Sequence, residues 1–162
     1  MSRLAFLSSD ESASEVPRVS PLRDVPSDAF TDCSALGKLE VRGEVSGIDL
    51  LPGEELLPIE PRRALLVVDG PSGPAHERLA ELGYLVYDMT AALAALEIEG
   101  EDLLRRLTEL ELDSLPASGS IARGTNALIE RRGGECFRLF VPQELGRFVA
   151  GVVTDLHAGL RA

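Results

Sequence analysis

The pattern of apolar and polar positions divides the chain into short elements. Ala92 to Ile98 alternates apolar with small or acidic residues, which predicts a half-buried strand ended by Gly100. Behind it, Glu101 and Asp102 sit where a helix start favours negative charge. Leu103, Leu104, Leu107 and Leu110 follow at helical spacing, with Arg105 and Arg106 on the other face, and Pro116 stops the segment. Ala64 to Val68 is a continuous apolar run, suited to a strand covered on both faces. Pro74 to Leu82 reads as a helix closed by Gly83, and Tyr84 to Tyr87 returns as a strand. Upstream, a strand is predicted at about Lys38 to Arg42. Pro52, Pro58 and Pro61 then force an extended connection, because proline inside a helix costs about 3 kcal/mol, and Leu56 to Ile59 can form a short strand within it. Ala117 to Ser120 reads as a loop. Ile121 to Arg131 and Glu135 to Val141 read as strands joined in a hairpin through Arg132-Gly133-Gly134. A last helix begins at Pro142, with Leu145, Phe148, Val149, Val152, Val153 and Leu156 along one side. From Ala64 onward the order is β-α-β, β-α-β-β-α. Helices laid on one face of a largely antiparallel sheet give an α+β, ferredoxin-like sandwich.

One motif occurs twice. Asp32-Cys33-Ser34-Ala35 leads to Leu39-Glu40-Val41-Arg42-Gly43, and Asp88-Met89-Thr90-Ala91 leads to Leu96-Glu97-Ile98-Glu99-Gly100, offset by 56 to 57 residues. The shared template is Asp, any residue, Ser or Thr, Ala, a short apolar run, then Leu-Glu-Val/Ile-x-Gly, which reads as an internal duplication. The first copy lacks the amphipathic helix that follows the second.

Composition narrows the class of protein. At 162 residues and 44% hydrophobic content, one domain with a real core is expected over residues 30–162. Residues 1–29 are rich in Ser, Pro and acids and read as a flexible tail, with Leu4 to Leu7 as a short apolar segment able to dock. A net charge of −11 opposes attraction to phosphate backbones and anionic lipid, so no nucleic acid or membrane partner is expected. No apolar run approaches the roughly 20 residues that cross a bilayer, and no signal peptide is evident, which predicts a cytoplasmic protein. Cys33 and Cys136 form no Cys-x-x-Cys pair and are expected as reduced thiols.

Each candidate for chemistry lacks a required part. Lys38 is the one lysine against fifteen arginines, so lysine-base or Schiff-base chemistry would rest on it alone. His76 and His157 have no second ligand at metal spacing, and no Gly-x-Ser-x-Gly elbow is present. Gly70-Pro71-Ser72-Gly73-Pro74 lacks the Gly-Lys-Ser/Thr ending of a phosphate loop and reads as a turn before a helix. The seven acids from Glu97 to Asp113 alternate with leucine, as a solvated face does. No catalytic, cofactor-binding or metal residue is therefore expected. Arg123, Arg131, Arg132 and Arg138 form the local basic cluster; they are candidates to hold a carboxylate or an acidic partner surface, or to balance acids across the sheet.

The run Val86 to Thr90, then Leu96 to Leu104, then Glu111-Leu112-Asp113, resembles the folate-binding domain shared by glycine cleavage T-protein and the aminomethyltransferases. Within that superfamily the chain is most similar to the gamma subunit of heterotetrameric sarcosine oxidase. The likeness lies in its length, its early Val41-Arg42-Gly43 and its late Arg132 with Phe137-Arg138-Leu139-Phe140-Val141, and covers roughly Phe30 to Leu156. The resemblance implies a non-catalytic subunit packed against larger chains that carry flavin and tetrahydrofolate, with no cofactor in this chain. Aminomethyltransferases place an acid after the aromatic of Tyr-Thr-Gly-Glu-x-Gly-Phe-Glu, whereas this chain has Arg138. That arginine reverses the charge offered to a pterin. A stand-alone tetrahydrofolate-binding protein of one-carbon metabolism and a homo-oligomeric module for small anions are the alternatives.

Overall fold

The computed structural model describes residues 19–25 and 28–162. Twelve elements follow in order: β1 (Thr31–Asp32), β2 (Gly37–Arg42), β3 (Glu54–Glu60), β4 (Arg63–Val68), α1 (Gly73–Glu81), β5 (Leu85–Asp88), β6 (Leu93–Glu99), α2 (Glu101–Leu107), β7 (Ala117–Ile121), β8 (Thr125–Gly133), β9 (Cys136–Pro142) and α3 (Gly146–Arg161). The α+β class expected from the sequence stands, but the strands divide between two antiparallel sheets, ordered β5-β2-β4-β3 and β1-β6-β9-β8-β7.

The two sheets face each other and helices cover their outer faces. In β4, Ala64 and Leu66 pack outward with Leu39, Val41 and, from α1, Ala75 and Leu79. Leu65 and Val67 pack inward with Leu57 and with Ala95, Leu128 and Phe140 of the other sheet. Both faces of β4 are buried, which is why its sequence is apolar without alternation. On the far side, Leu96, Ile98, Ile129, Leu139 and Val141 pack against Leu103, Leu104 and Leu107 of α2 and Val149, Ala150 and Val153 of α3. Gly146 lets α3 approach closely, since a Cβ there would lie 2.8 Å from the Cβ of buried Ala94.

The duplicated motif accounts for the division into two sheets. Asp32 Oδ1 accepts from the Ser34 amide at 2.9 Å, and Asp88 Oδ1 accepts from the Thr90 amide at 2.8 Å, so each aspartate closes the same Asx turn. Each hydroxyl then crosses to the other copy: Ser34 Oγ accepts from the Ala95 amide at 3.1 Å, and Thr90 Oγ1 from the Lys38 amide at 3.0 Å. The strands exchange likewise, with Asp32 opposite Leu96 and Asp88 opposite Leu39. Each copy thus lends its first strand to the other copy's sheet. By this register β1, β6, β9 and β8 correspond to β5, β2, β4 and β3.

Several boundaries differ from the sequence expectation. Ala117 to Ser120 is not a loop but most of β7, an edge strand whose pairing to β8 overrides its weak propensity. Its Gly119 is needed because a Cβ would meet Leu110 side-chain carbons at 2.7 Å. The single strand expected over Ile121 to Arg131 is broken at Ala122–Gly124, where Arg123 adopts φ 60°. Phe148 of α3 is exposed rather than buried with Val149 and Val153. Leu4 to Leu7 lie outside the described residues. Elsewhere in the segment read as a flexible tail, Leu22 and Ala29 are buried in the α3-side core.

Candidate functional site

Inward-facing positions at one end of the layer between the sheets change from apolar to charged. Along β6 the inward residues run Ala95, Glu97; along β9, Phe140, Arg138; along β8, Leu128, Glu130. Cross-strand pairing places Glu97 and Glu130 on either side of Arg138. Glu55 of β3 reaches over from the facing sheet, and Arg132 completes the group.

Arg138, whose side chain is 7% exposed, holds Nη1 2.9 Å from Glu130 Oε1 and 3.8 Å from Glu55 Oε2, and Nη2 3.5 Å from Glu97 Oε2. Arg132 bonds to the Glu55 carboxylate, and its Nε is 4.0 Å from Glu97 Oε2. Three carboxylates thus share two guanidiniums. Burial pushes the Glu130 carboxyl up to about 7; the Arg138 charge works against the rise, and the Glu55 charge adds to it. The cluster relieves its excess of negative charge by holding a proton near neutrality.

Arg132, Arg138 and Glu55 open onto a cleft of about 820 Å³, whose floor includes Val67 and whose walls include Asp32, Cys33 and Asp69. Glu130 is 2% exposed and does not line the cleft, so it has no access to a substrate proton. Burial, with Glu97 beside it, raises the Cys33 thiol above its ordinary value, away from nucleophilic use. Burial likewise raises Cys136. Lys38 is buried, and its Nζ donates to the carbonyls of Ser34 and Leu36 at 2.8 Å each, tying down the turn of the first repeat. His76 and His157 lie on α1 and α3, and no group of residues able to hold a metal occurs among the described residues.

The four arginines expected to act together are dispersed by the strand period. Arg132 and Arg138 meet at the cleft. Arg131, one residue out of phase, points to the opposite face, where its guanidinium lies 4.7 Å over the Phe137 ring and 3.6 Å from Glu101. Arg123 is exposed in the turn before β8, beside Arg105 and Arg106 in a separate depression of about 570 Å³. The acids that engage the cleft arginines, Glu55, Glu97 and Glu130, were not singled out as site residues from the sequence. Glu97 had been grouped with the solvated acids but faces inward. The legible signal was opposite charge at positions that pair across β6, β9 and β8.

No family model and no curated protein sequence matches the chain. Its fold is that of a chain of heterotetrameric sarcosine oxidase from Corynebacterium sp. U-96, solved in complex with pyrrole 2-carboxylate. The two superpose with a TM-score of 0.71 at 16% sequence identity, over 90% of this chain and 97% of that one. The match therefore runs nearly end to end between chains of similar length. Among the described residues, no helix is long and apolar enough to cross a membrane.

Proposed function

We propose that the chain is a non-catalytic, gamma-type subunit of a heteromeric, sarcosine oxidase-like flavoenzyme that oxidises an N-methyl amino acid in the cytoplasm. Larger partner chains carry the flavin and tetrahydrofolate. The observation that carries this reading is the shared fold between chains of similar length, one of them belonging to a heterotetrameric enzyme. Two features of the chain agree with it. Both arginines at its cleft are engaged by Glu55, Glu97 and Glu130, and Glu130 lies out of reach of a substrate. Leu82, 65% exposed at the end of α1, and Leu85, 62% exposed on the edge strand β5 with Tyr87, offer apolar surface that a larger chain can cover.

A small-anion module built on the arginine hairpin is the weaker reading, because Arg131 and Arg123 point away from Arg132 and Arg138. Folate held as in the aminomethyltransferases does not fit the residues present. A carboxylate suits the pterin's donor edge, and this chain has the Arg138 guanidinium instead.

The test is gentle purification of the tagged chain from its own cells, with the mass and visible spectrum of the product recorded. A yellow complex several times the 17.4 kDa of the chain supports the proposal. A colourless species of the chain's own mass overturns it, and oxidation of N-methylglycine by the isolated chain would overturn the non-catalytic role.

A further inference from the structure

The two sheets end in four edge strands, β5 and β3 in one and β1 and β7 in the other. An edge strand offers unpaired backbone groups to any extended segment, and folded chains blunt such edges by shortness, charge, proline, bulges or a covering segment. Three of the four edges carry these devices. β1 is two residues long. β3 holds Glu54, Glu55, Pro58 and Glu60, with a register shift between Pro58 and Glu60. β7 is bridged on its free side by Thr108, which pairs with Ile121 and whose Oγ1 donates to the Ser120 carbonyl at 3.0 Å. β5 carries none of them over Leu85-Val86-Tyr87. Among the described residues, the backbone of these three has no hydrogen-bonding partner beyond β2.

The side chains at this edge are apolar on both faces. Val86 packs on the α1 side with Leu39 and Val41, while Leu85 and Tyr87 are exposed on the opposite face. A strand that completes the edge must itself be apolar on both faces. Leu4-Ala5-Phe6-Leu7, outside the described residues, meets that requirement: it is the one run of four apolar residues before Val19 and equals β5 in length. In an extended segment Leu4 and Phe6 share one face, and Ala5 and Leu7 the other.

The tether is long enough. Val19 lines a depression with Gln143, whose amide donates to the Ala92 carbonyl at 2.9 Å, and Ala92 follows Asp88 of β5 by four residues, at most about 14 Å of chain. The eleven residues between Leu7 and Val19 span up to about 36–40 Å. Area favours this occupant over a second copy. A stable interface between separate chains buries about 1,200–2,000 Å², several times what a four-residue edge offers, whereas a tether of this length keeps the segment at a concentration on the order of millimolar.

We infer that Leu4 to Leu7 pairs with the free edge of β5 and adds a fifth strand to the first sheet. The added strand flanks Leu85 and Tyr87 with apolar side chains and so widens the face that a larger chain can cover. The inference does not depend on the subunit reading.

Hydrogen exchange on the full chain, followed by mass spectrometry and NMR, tests it. A Leu4→Asp/Phe6→Asp variant alters the segment, Tyr87→Lys alters the exposed edge, and circular dichroism verifies that both fold. In the wild type, the outward amides of β5 and the amides of residues 4–7 should exchange at least tenfold more slowly than in either variant, at every protein concentration, with β4 unchanged. Equal exchange in the wild type and L4D/F6D overturns the proposal. So does protection of residues 4–7 that survives in folded Y87K, which puts the segment elsewhere. Protection of β5 that rises with protein concentration, alongside a dimer in light scattering, overturns it in favour of a second copy. Protection that appears only when larger chains co-purify overturns it in favour of a partner's strand.

Discussion

Arg138 and Glu130 occupy the register positions that Leu65 and Leu57 hold in the first sheet, so replacing them by leucine separates what the cluster does for folding from what it does at the cleft. Arg138→Leu removes the partner 2.9 Å from Glu130 and leaves Glu97 with Arg132 at 4.0 Å. Stranding a charge this deeply buried costs about 3–5 kcal/mol when the carboxylate is ionised. Glu130 has an escape, because its carboxyl already sits at about 7 rather than 4.5. The folded state holds that proton more tightly than the unfolded chain does, so between about pH 4.5 and 7 this group lowers stability as pH rises. At pH 5.5 Glu130 is protonated with or without Arg138, and because the wild-type carboxyl titrates at about 7 the loss in R138L should be smaller there than at pH 8 by up to about 1.4 kcal/mol, the worth of one proton over one pH unit. Glu130→Leu should cost less than R138L at pH 8, since Arg138 keeps Glu97 and Glu55 within 4 Å. The double variant recreates the Leu57–Leu65 pairing and should equal the wild type or exceed it by about 1–4 kcal/mol. Urea unfolding of the four proteins at pH 8 and 5.5, followed by circular dichroism, measures each value. A double variant less stable than R138L would refute the reasoning, as would an R138L deficit unchanged between the two pH values.

Four further outcomes are expected. Ser34→Ala and Thr90→Ala each remove one of the two reciprocal bonds between the repeats and should cost about 1 kcal/mol, more for buried Ser34, by the same unfolding assay. Gly146→Ala forces α3 away from Ala94, which has no flexible end to yield, and should cost about 1–3 kcal/mol. Glu40 is pushed up by burial, but hydrogen bonds from Arg63 and Arg42 outweigh this and hold its carboxyl below the ordinary value. Its contribution is present above about pH 4.5 and lost as pH falls, so Glu40→Gln should lower Tm at pH 7 and converge on the wild type in acid. Burial raises both thiols, so Cys33 and Cys136 should react with a thiol reagent at pH 7 more slowly than free cysteine and rapidly once urea unfolds the chain.

Local pattern was sufficient for most elements because it depends on near neighbours. The period-two stretch gave β6, the helical leucines behind Glu101 and Asp102 gave α2, and the unbroken apolar run of β4 announced a strand buried on both faces. The duplicated Asp-x-Ser/Thr-Ala motif was also visible, because both copies satisfy the same Asx turn. Its consequence was not visible: the hydroxyl of each copy bonds to the other copy, so two interlocked sheets form where one was expected. β7 escaped for a related reason, since Ala117 to Ser120 is a strand only because β8 lies beside it. The cleft was legible in part. Arg132 and Arg138 stood out by composition, yet Arg131 is separated from Arg132 by the strand period and Arg123 by a turn. The acids that complete the site, Glu55, Glu97 and Glu130, come from three different strands. A carboxylate chosen on β3 to meet a guanidinium on β9 is 83 residues away in sequence, and only the packing of one sheet on the other brings the two within 3.8 Å.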